Sequence, residues 1–331
     1  MKIEEINHQR ILYSCNDWGL GHVSRSVGII RQLLKQKNTL YFAGTSLQQE
    51  IICSYFPLVN RINMSGYDFQ FKGSNNWNRE IIRNAFKLFF SIKKENKTLH
   101  KLCKTLQIQC IISDHRYGFF HTKIPSFFVT HQVNLPLKGV QKLVQRWHLK
   151  QLKKFTAIWV VDDSTSSYAG KLSDSKNLSL NIFPIGIQSR FISKNTSNQI
   201  EPYILAVISG PFPYSLKLFE EILEYAKITK TLVKCIVPTH LNLPNIPSKN
   251  ILFYSTNNWK EIDELYHDSI GVISRSGYST LMDVETLQKK ACLIPTPGQP
   301  EQLYLSKLHE HKYTSKLSNL APDYFNTIKP L

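Results

Sequence analysis

Short apolar runs alternate along the chain with stretches in which apolar residues recur every three or four positions. In the first half, the runs Arg10–Ser14, Thr39–Ala43, Leu58–Asn63, Cys110–Ser113, Ser126–Thr130 and Ala157–Val161 predict strands. Helical periodicity predicts helices at Ser24–Lys37, Leu47–Tyr55, Glu80–Leu106 and Gly139–Lys154; in the first of these, Val27, Ile30, Leu33 and Leu34 form one buried face. Apolar strands separated by helices predict a parallel sheet covered on both faces, an α/β fold.

A stretch rich in Ser, Asn and Gln, Ile187 to Pro202, breaks the pattern and reads as a linker at 189–202 between domains at 1–188 and 203–331. The alternation then restarts. Strands are expected at Tyr203–Ile208, Thr231–Pro238, Ile251–Tyr254, Ile270–Ile273 and Cys292–Pro295, with helices at Leu216–Ile228, Trp259–Asp268, Ser279–Leu287 and roughly Gln299 to His311. No internal sequence repeat is visible.

Composition fits this plan. A chain of 331 residues, 42% hydrophobic, can bury two ordinary cores. The six cysteines are scattered through apolar segments without a CxxC pair or metal-ligand spacing, so reduced, buried thiols are expected and no metal site. Met1 to Asn7 is polar and acidic, unlike a secretory signal, and no apolar run approaches the roughly 18 residues of a membrane span. The expected location is cytoplasmic.

Charge adds a constraint. Forty-one Lys and Arg against 24 Asp and Glu give +17, which calls for an anionic partner: nucleic acid, a membrane surface or a phosphorylated small molecule. Between Arg79 and Lys104, six lysines interleave with Phe86, Phe89, Phe90 and aliphatic residues, and Lys138 to Lys154 repeats the pattern around Trp147. Such helices can lie at an anionic lipid surface, or they can simply expose a solvated face over an ordinary core. No recognised nucleic-acid module occurs, and nucleic acid is not an expected partner.

Two loops carry the candidate chemistry. Cys15 to Ser26 follows a strand and opens a helix, with Gly19 and Gly21 allowing a sharp turn and close approach of a ligand, and His22 at the helix start. A dinucleotide fingerprint would need a third glycine where Ser24 stands. The second loop, Ser274 to Asp283, also runs from a strand into a helix and offers backbone amides, hydroxyls and Arg275 to an anion. Helix capping alone is the competing explanation of its Ser and Thr residues.

Gly19-Leu20-Gly21-His22, Ser209-Gly210-Pro211, Arg275-Ser276-Gly277 with Thr280 and Asp283, and Pro295 to Gln302 together resemble the GT-B nucleotide-sugar glycosyltransferases. The likeness is to family 28, the group of the peptidoglycan N-acetylglucosaminyltransferase, and within it to a bacterial subgroup with a Trp-Gly-Leu-Gly-His loop. It implies two Rossmann-like doubly wound domains facing a cleft. It further implies a UDP-sugar donor, held by Ser209, Gly210, Arg275, Ser276, Gly277, Tyr278, Ser279 and Thr280 at the diphosphate. By the same likeness Asp283 meets the ribose, with Glu285 its neighbouring rival, and Gln299, Glu301 and Gln302 meet the sugar. Transfer with inversion from the donor to an acceptor is the implied activity, with no cofactor. A lipid-linked acceptor and peripheral contact with the inner face of the plasma membrane are extensions drawn from the basic, aromatic first half.

One departure weakens the donor side: where relatives carry Glu and a Gln-Arg pair, this chain has Phe212, Tyr214 and Ser215. Arg275 and Arg190 are then expected to supply the missing cation. Inversion needs a base for the acceptor hydroxyl, and His22 is the first candidate, with Asp114 and His115 as rivals or orienting partners. Gly19, Leu20, Gly21, His115, His131 and Gln132 are expected to line the acceptor site; His240 could contact the donor. Two readings compete: a UDP-sugar hydrolase, whose Gly-Leu-Gly-His-Val-x-Arg loop is similar, and a catalytically silent nucleotide-sugar binding protein.

Overall fold

The computed structural model describes residues 1–67, 77–136, 142–176, 178–192, 202–238, 250–255 and 258–326, with backbone alone for 77–86 and 142. His240 and most of the expected linker lie outside the described residues. Met1–Gln70 with Asn78–Arg190 forms one compact unit, and Phe191–Leu331 lies in a second.

The first unit contains β1 (Arg10–Cys15), α1 (Gly21–Lys35), β2 (Thr39–Gly44), α2 (Ser46–Tyr55), β3 (Asn60–Asn63), α3 (Trp77–Leu106), β4 (Cys110–Asp114), β5 (Ser126–Thr130), α4 (Lys142–Leu152), β6 (Ala157–Val160) and β7 (Ile182–Pro184). Its strands form one parallel sheet in the order β3-β2-β1-β4-β5-β6-β7. Every residue of β4, β5 and β6 is buried, as a sheet covered on both faces demands. β7 was not anticipated: three residues with a Pro at the sheet edge give almost no periodic signal.

The second unit contains β8 (Tyr203–Val207), α5 (Tyr214–Ile228), β9 (Leu232–Ile236), β10 (Ile251–Tyr254), α6 (Trp259–Asp268), β11 (Gly271–Arg275), α7 (Tyr278–Leu287), β12 (Lys290–Ile294) and α8 (Pro300–Leu308). Its parallel sheet has the order β10-β9-β8-β11-β12. The winding of the first sheet is therefore used again without any repeat in sequence. Both are doubly wound α/β sheets, as expected. In each, the strand order reverses beside the first strand, between β1 and β4 and between β8 and β11; ligands of such sheets bind outside the carboxyl ends of the strands at this point.

The cores follow the sheets. Leu12, Leu99, Ile111 and Phe119 belong to one cluster of the first unit, and Ile204, Leu218, Ile222 and Ile273 to that of the second. All six cysteines are free, and burial pushes the thiols of Cys110, Cys235 and Cys292 up to about 12, which makes them inert packing groups. Among the described residues no helix is long and apolar enough to cross a membrane.

One glycine shows how tightly the first unit closes on itself. A Cβ on Gly28 of α1 would stand 2.6 Å from the Ser189 carbonyl oxygen, so glycine is what lets the segment Gln188–Arg190 lie against the helix. Gly28→Ala should gain about 1 kcal/mol from helix propensity. The backbone clash, worth about 1–3 kcal/mol, should more than offset that gain. Chemical denaturation is expected to show a net loss of stability; a more stable variant would mean that the segment yields freely.

Candidate functional site

At the switch point of the first sheet, the loop after β1 and the end of β4 bring His22 and Asp114 together. Gly19, with φ +84°, turns the chain out of β1, and exposed Leu20 precedes α1, which begins at Gly21 and receives no side-chain cap. His22 Nδ1 lies 2.8 Å from Asp114 Oδ1, and its Nε2 has no partner among the described residues. The His22 side chain is 18% exposed and that of Asp114 is fully buried. A carboxylate on one ring nitrogen with the other nitrogen open is the arrangement of a general base and its orienting group.

Sequence reasoning missed the third member, Arg25. It sits one turn after His22, 2% exposed, with Nε donating to Asp114 Oδ2 at 2.7 Å and Nη2 donating to Asp114 Oδ1. Its Nη1 reaches His131 Nδ1 at 3.0 Å. The three-residue step from His22 was the available signal, because residues so spaced share a helix face. Burial opposes ionisation of Asp114, but the Arg25 charge and then His22 override it, holding the carboxyl well below the usual carboxylate range.

The expected acceptor residues gather around this group. His115 leaves β4 in the left-handed region, φ +57°, with its ring 5.1 Å from that of His22 and its Nε2 2.7 Å from Thr130 Oγ1. Burial and the neighbouring His22 and Arg25 lower the His115 pKa well below the ordinary value. His131 and Gln132 follow β5 and are both buried, with their side chains 3.1 Å apart. Arg190 does not behave as expected: its Nη1 donates to Ser24 Oγ at 2.9 Å, and its carbonyl accepts from Arg31 at 2.7 Å. These bonds tie Arg190 onto α1.

At the switch point of the second sheet, the loops after β8 and β11 lie together. Gly210 takes φ +97°, and a Cβ there would meet only Thr296 Oγ1, at 3.9 Å; Ser209 beside it is partly exposed. Gly277 is the N-cap of α7 and offers no side chain to the helix start, where Ser279 and Thr280 are partly exposed and Tyr278 is buried. α5, which follows the Ser209-Gly210 turn, also lacks a side-chain cap. By contrast α2, α6 and α8 are capped by Thr45, Asn258 and Gln299. Side-chain caps are thus missing from the helices that begin at the two switch points, where an anion can take their place.

Arg275 is held by backbone carbonyls. It was expected beside the phosphate-binding amides, yet it is buried, with Nη1 donating to the Pro295 carbonyl at 3.2 Å and Nη2 to that of Tyr214. It braces the loops after β8 and β12. Ser276 likewise donates its hydroxyl to the Gln302 carbonyl at 3.1 Å. Asp283 is 3% exposed on α7, while its rival Glu285 is bound to Lys312 and Tyr313, both at 2.8 Å. Gln299 Oε1 accepts from Gln302 N at 2.6 Å, and Gln302 Oε1 accepts from Thr296 N at 2.8 Å, so both carboxamide oxygens shape the loop before α8. Glu301 is partly exposed in the first turn of that helix.

The two sheets and their loops are those of the GT-B fold. Residues 243–314 match the glycosyltransferase family 28 C-terminal domain, so the second unit is family 28-like. Among solved structures, the glycotransferase of kitacinnamycin aligns with a TM-score of 0.64 at 11% identity, covering 96% of this chain and 89% of that one. Spinosyn rhamnosyltransferase SpnG in complex with thymidine diphosphate gives 0.62 at 10% identity with the same coverages. MurG of Acinetobacter baumannii gives 0.52 at 13% identity, again over 96% and 89%. No curated protein matches this chain in sequence.

Removing the Asp114 charge leaves Arg25 buried without its carboxylate partner, so Asp114→Asn should lose about 3–5 kcal/mol of stability. The pH dependence has a definite sign. Native Asp114 titrates below the unfolded value of about 3.9, so its contribution is present above about pH 4 and fades as pH falls through the depressed native value. Urea titrations between pH 2 and pH 6 should show Asp114→Asn missing that part of the acid destabilisation; equal slopes for variant and parent would contradict the assignment.

Proposed function

We propose that the protein transfers a sugar, with inversion, from a UDP-sugar to a hydroxyl acceptor. The observation that carries the reading is the His22–Asp114 contact at the switch point of one sheet, in a fold whose second unit is family 28-like. His22 Nδ1–H donates to Asp114, leaving the Nε2 lone pair to take the acceptor proton. As that O–H bond breaks, the acceptor oxygen bonds to the anomeric carbon, and the bond to the nucleoside diphosphate breaks with its electron pair on the diphosphate. The uncapped starts of α5 and α7 stabilise that charge. Ser209, Gly210, Ser279 and Thr280 border the diphosphate, Asp283 the ribose, and Gln299, Glu301 and Gln302 the sugar. His115, His131 and Gln132 border the acceptor.

A lipid-linked acceptor is supported by the surface of α3. Phe89 is 49% and Phe90 67% exposed, with exposed Lys87, Lys93, Lys94, Lys97 and Lys101 on the same helix, and Lys93 Nζ lies 4.5 Å from the Phe89 ring centre. Two exposed aromatics among cations suit the headgroup layer of an anionic bilayer on the inner face of the plasma membrane, each lysine adding about 1 kcal/mol.

Incubation with a panel of UDP-sugars and thymidine-diphosphate sugars, with and without membrane lipid extract, tests the reaction. Release of UDP only with lipid is expected; release without acceptor would indicate a hydrolase, and none with any donor a binding protein. His22→Ala should lower kcat by about 10²–10⁴-fold while UDP affinity changes little. Full turnover by that variant would exclude His22 as the base.

Vesicle sedimentation tests the surface. Binding to vesicles with 30% phosphatidylglycerol is expected and binding to pure phosphatidylcholine is not, with Phe89→Ser/Phe90→Ser reducing it several-fold. Equal binding of variant and parent would remove α3 from the membrane face.

A further inference from the structure

We propose that Arg25 is a positioning residue that sets the protonation of His22 through Asp114; the inference rests on the reading of His22 as the base. Its guanidinium meets Asp114, His131 and His22 itself. It donates to both oxygens of Asp114, to His131 Nδ1 at 3.0 Å, and lies with Nη2 2.7 Å from His22 Nδ1. A guanidinium can only donate. Two arrangements of the ring are therefore available. Nδ1–H can donate to Asp114, which frees Nε2 as a base, or Nδ1 can accept from Arg25, which puts the proton on Nε2 and makes it a donor.

The charge has a second consequence. An isolated buried carboxylate beside an imidazole favours the imidazolium, and an imidazolium cannot accept a proton. Arg25 engages both carboxylate oxygens and sets a positive charge against the ring, so it offsets that pull. Asp114 then orients His22 without holding a proton on it. The other titratable groups facing the pair are His115 and His131, together with Tyr13 and Cys15, both buried and both with pKa values raised by burial first and by the Asp114 charge second. These two stay protonated and neutral in the range where His22 works. Arg25 is a cation in direct contact with the pair whose charge does not titrate near neutrality.

The geometry separates this role from simple stabilisation. A residue that only filled space or held α1 onto β4 would change the folding energy when replaced, and the titration of His22 would stay where it was. A residue that offsets the Asp114 charge would move that titration in a direction set by which member of the pair is removed. Arg25→Gln leaves the carboxylate alone with the ring and moves the midpoint to higher pH. Asp114→Asn leaves the guanidinium alone and moves it to lower pH. The double variant removes both charges and returns the midpoint toward that of the parent protein.

The test is a titration of the ¹⁵N-histidine-labelled full chain by NMR, with the His22 resonances assigned by their loss in His22→Asn. An alkaline shift of at least one pH unit in Arg25→Gln is expected, with less than half a unit in Arg25→Lys, which keeps the charge. If Arg25→Gln does not fold, Arg25→Lys and the double variant Arg25→Gln/Asp114→Asn carry the comparison with the parent. A double variant displaced by a unit or more, or an Arg25→Gln midpoint equal to that of the parent, would overturn the proposal.

The acid limb of kcat/KM, measured with the nucleotide sugar that the panel identifies, should shift with the NMR midpoint. If the NMR shift occurs and the activity profile ignores it, Arg25 governs the ring but His22 is not the base. If the activity profile depends on His22 while Arg25→Gln leaves both midpoints unchanged, the base assignment stands and the role given to Arg25 fails.

Discussion

The carboxylate of Asp114 ends a fully buried strand, and taking it out of water would be prohibitive without a matched cation. Arg25 supplies that cation from the second turn of α1, with its fork on both oxygens. Because the pair is rigid and dry, it fixes the rotation of α1 against β4 as well as the charge. His22, one turn earlier on the same helix face, is carried into contact with Asp114 by that rotation. Gly28 then lets the closing segment Gln188–Arg190 press on the same helix, and Arg190 bonds to Ser24 between these positions. The reactive group is therefore an outcome of how one helix is seated.

Parallel winding explains why chemistry collects where it does. In an all-parallel sheet every strand delivers its carboxyl end to one edge, and each following helix starts there with amides that have no intrahelical partner. Helices away from the reversal of strand order have these amides partly met by Thr45, Asn258 and Gln299. At the reversals the N-cap residues are Leu20, Pro213 and Gly277, none of which gives a side-chain cap. Among the α-helices whose starts are described, the capping pattern thus singles out the same points in the sheets that topology does. Neither observation depends on the other.

The strands and helices were legible because buried parallel strands and two-sided helices write strong periodicity: Ser126–Thr130, Ile251–Tyr254 and Trp259–Asp268 have the bounds expected from pattern. The turns were legible through Gly19 and Gly210, both at positive φ. What periodicity could not reveal was which polar residues face each other. His22 and Asp114 are 92 positions apart, and their contact follows from the pairing of β1 with β4, which no local pattern encodes. Arg25 was passed over because a charged residue in a helix is usually solvated. Arg190 and Arg275 were expected at the donor because arginines near glycine loops look like phosphate ligands; both are buried and donate to Ser24, or to the carbonyls of Tyr214 and Pro295.

These arginines bear on how a diphosphate would be held in the proposed reaction. Phe212, Tyr214 and Ser215 stand where a cation was expected, while Arg190 donates to Ser24 Oγ and Arg275 to the carbonyls of Pro295 and Tyr214. The starts of α5 and α7 would add positive charge there, because each helix end carries roughly half a positive charge from aligned peptide dipoles. A backbone site of this kind is insensitive to the identity of nearby side chains and sensitive to the path of the loops. By joining the Tyr214 and Pro295 carbonyls, Arg275 holds the start of α5 and the loop before α8 in register with the end of β11. In the proposed reaction such a site would place the requirement on glycine conformations and buried braces instead of on surface charge.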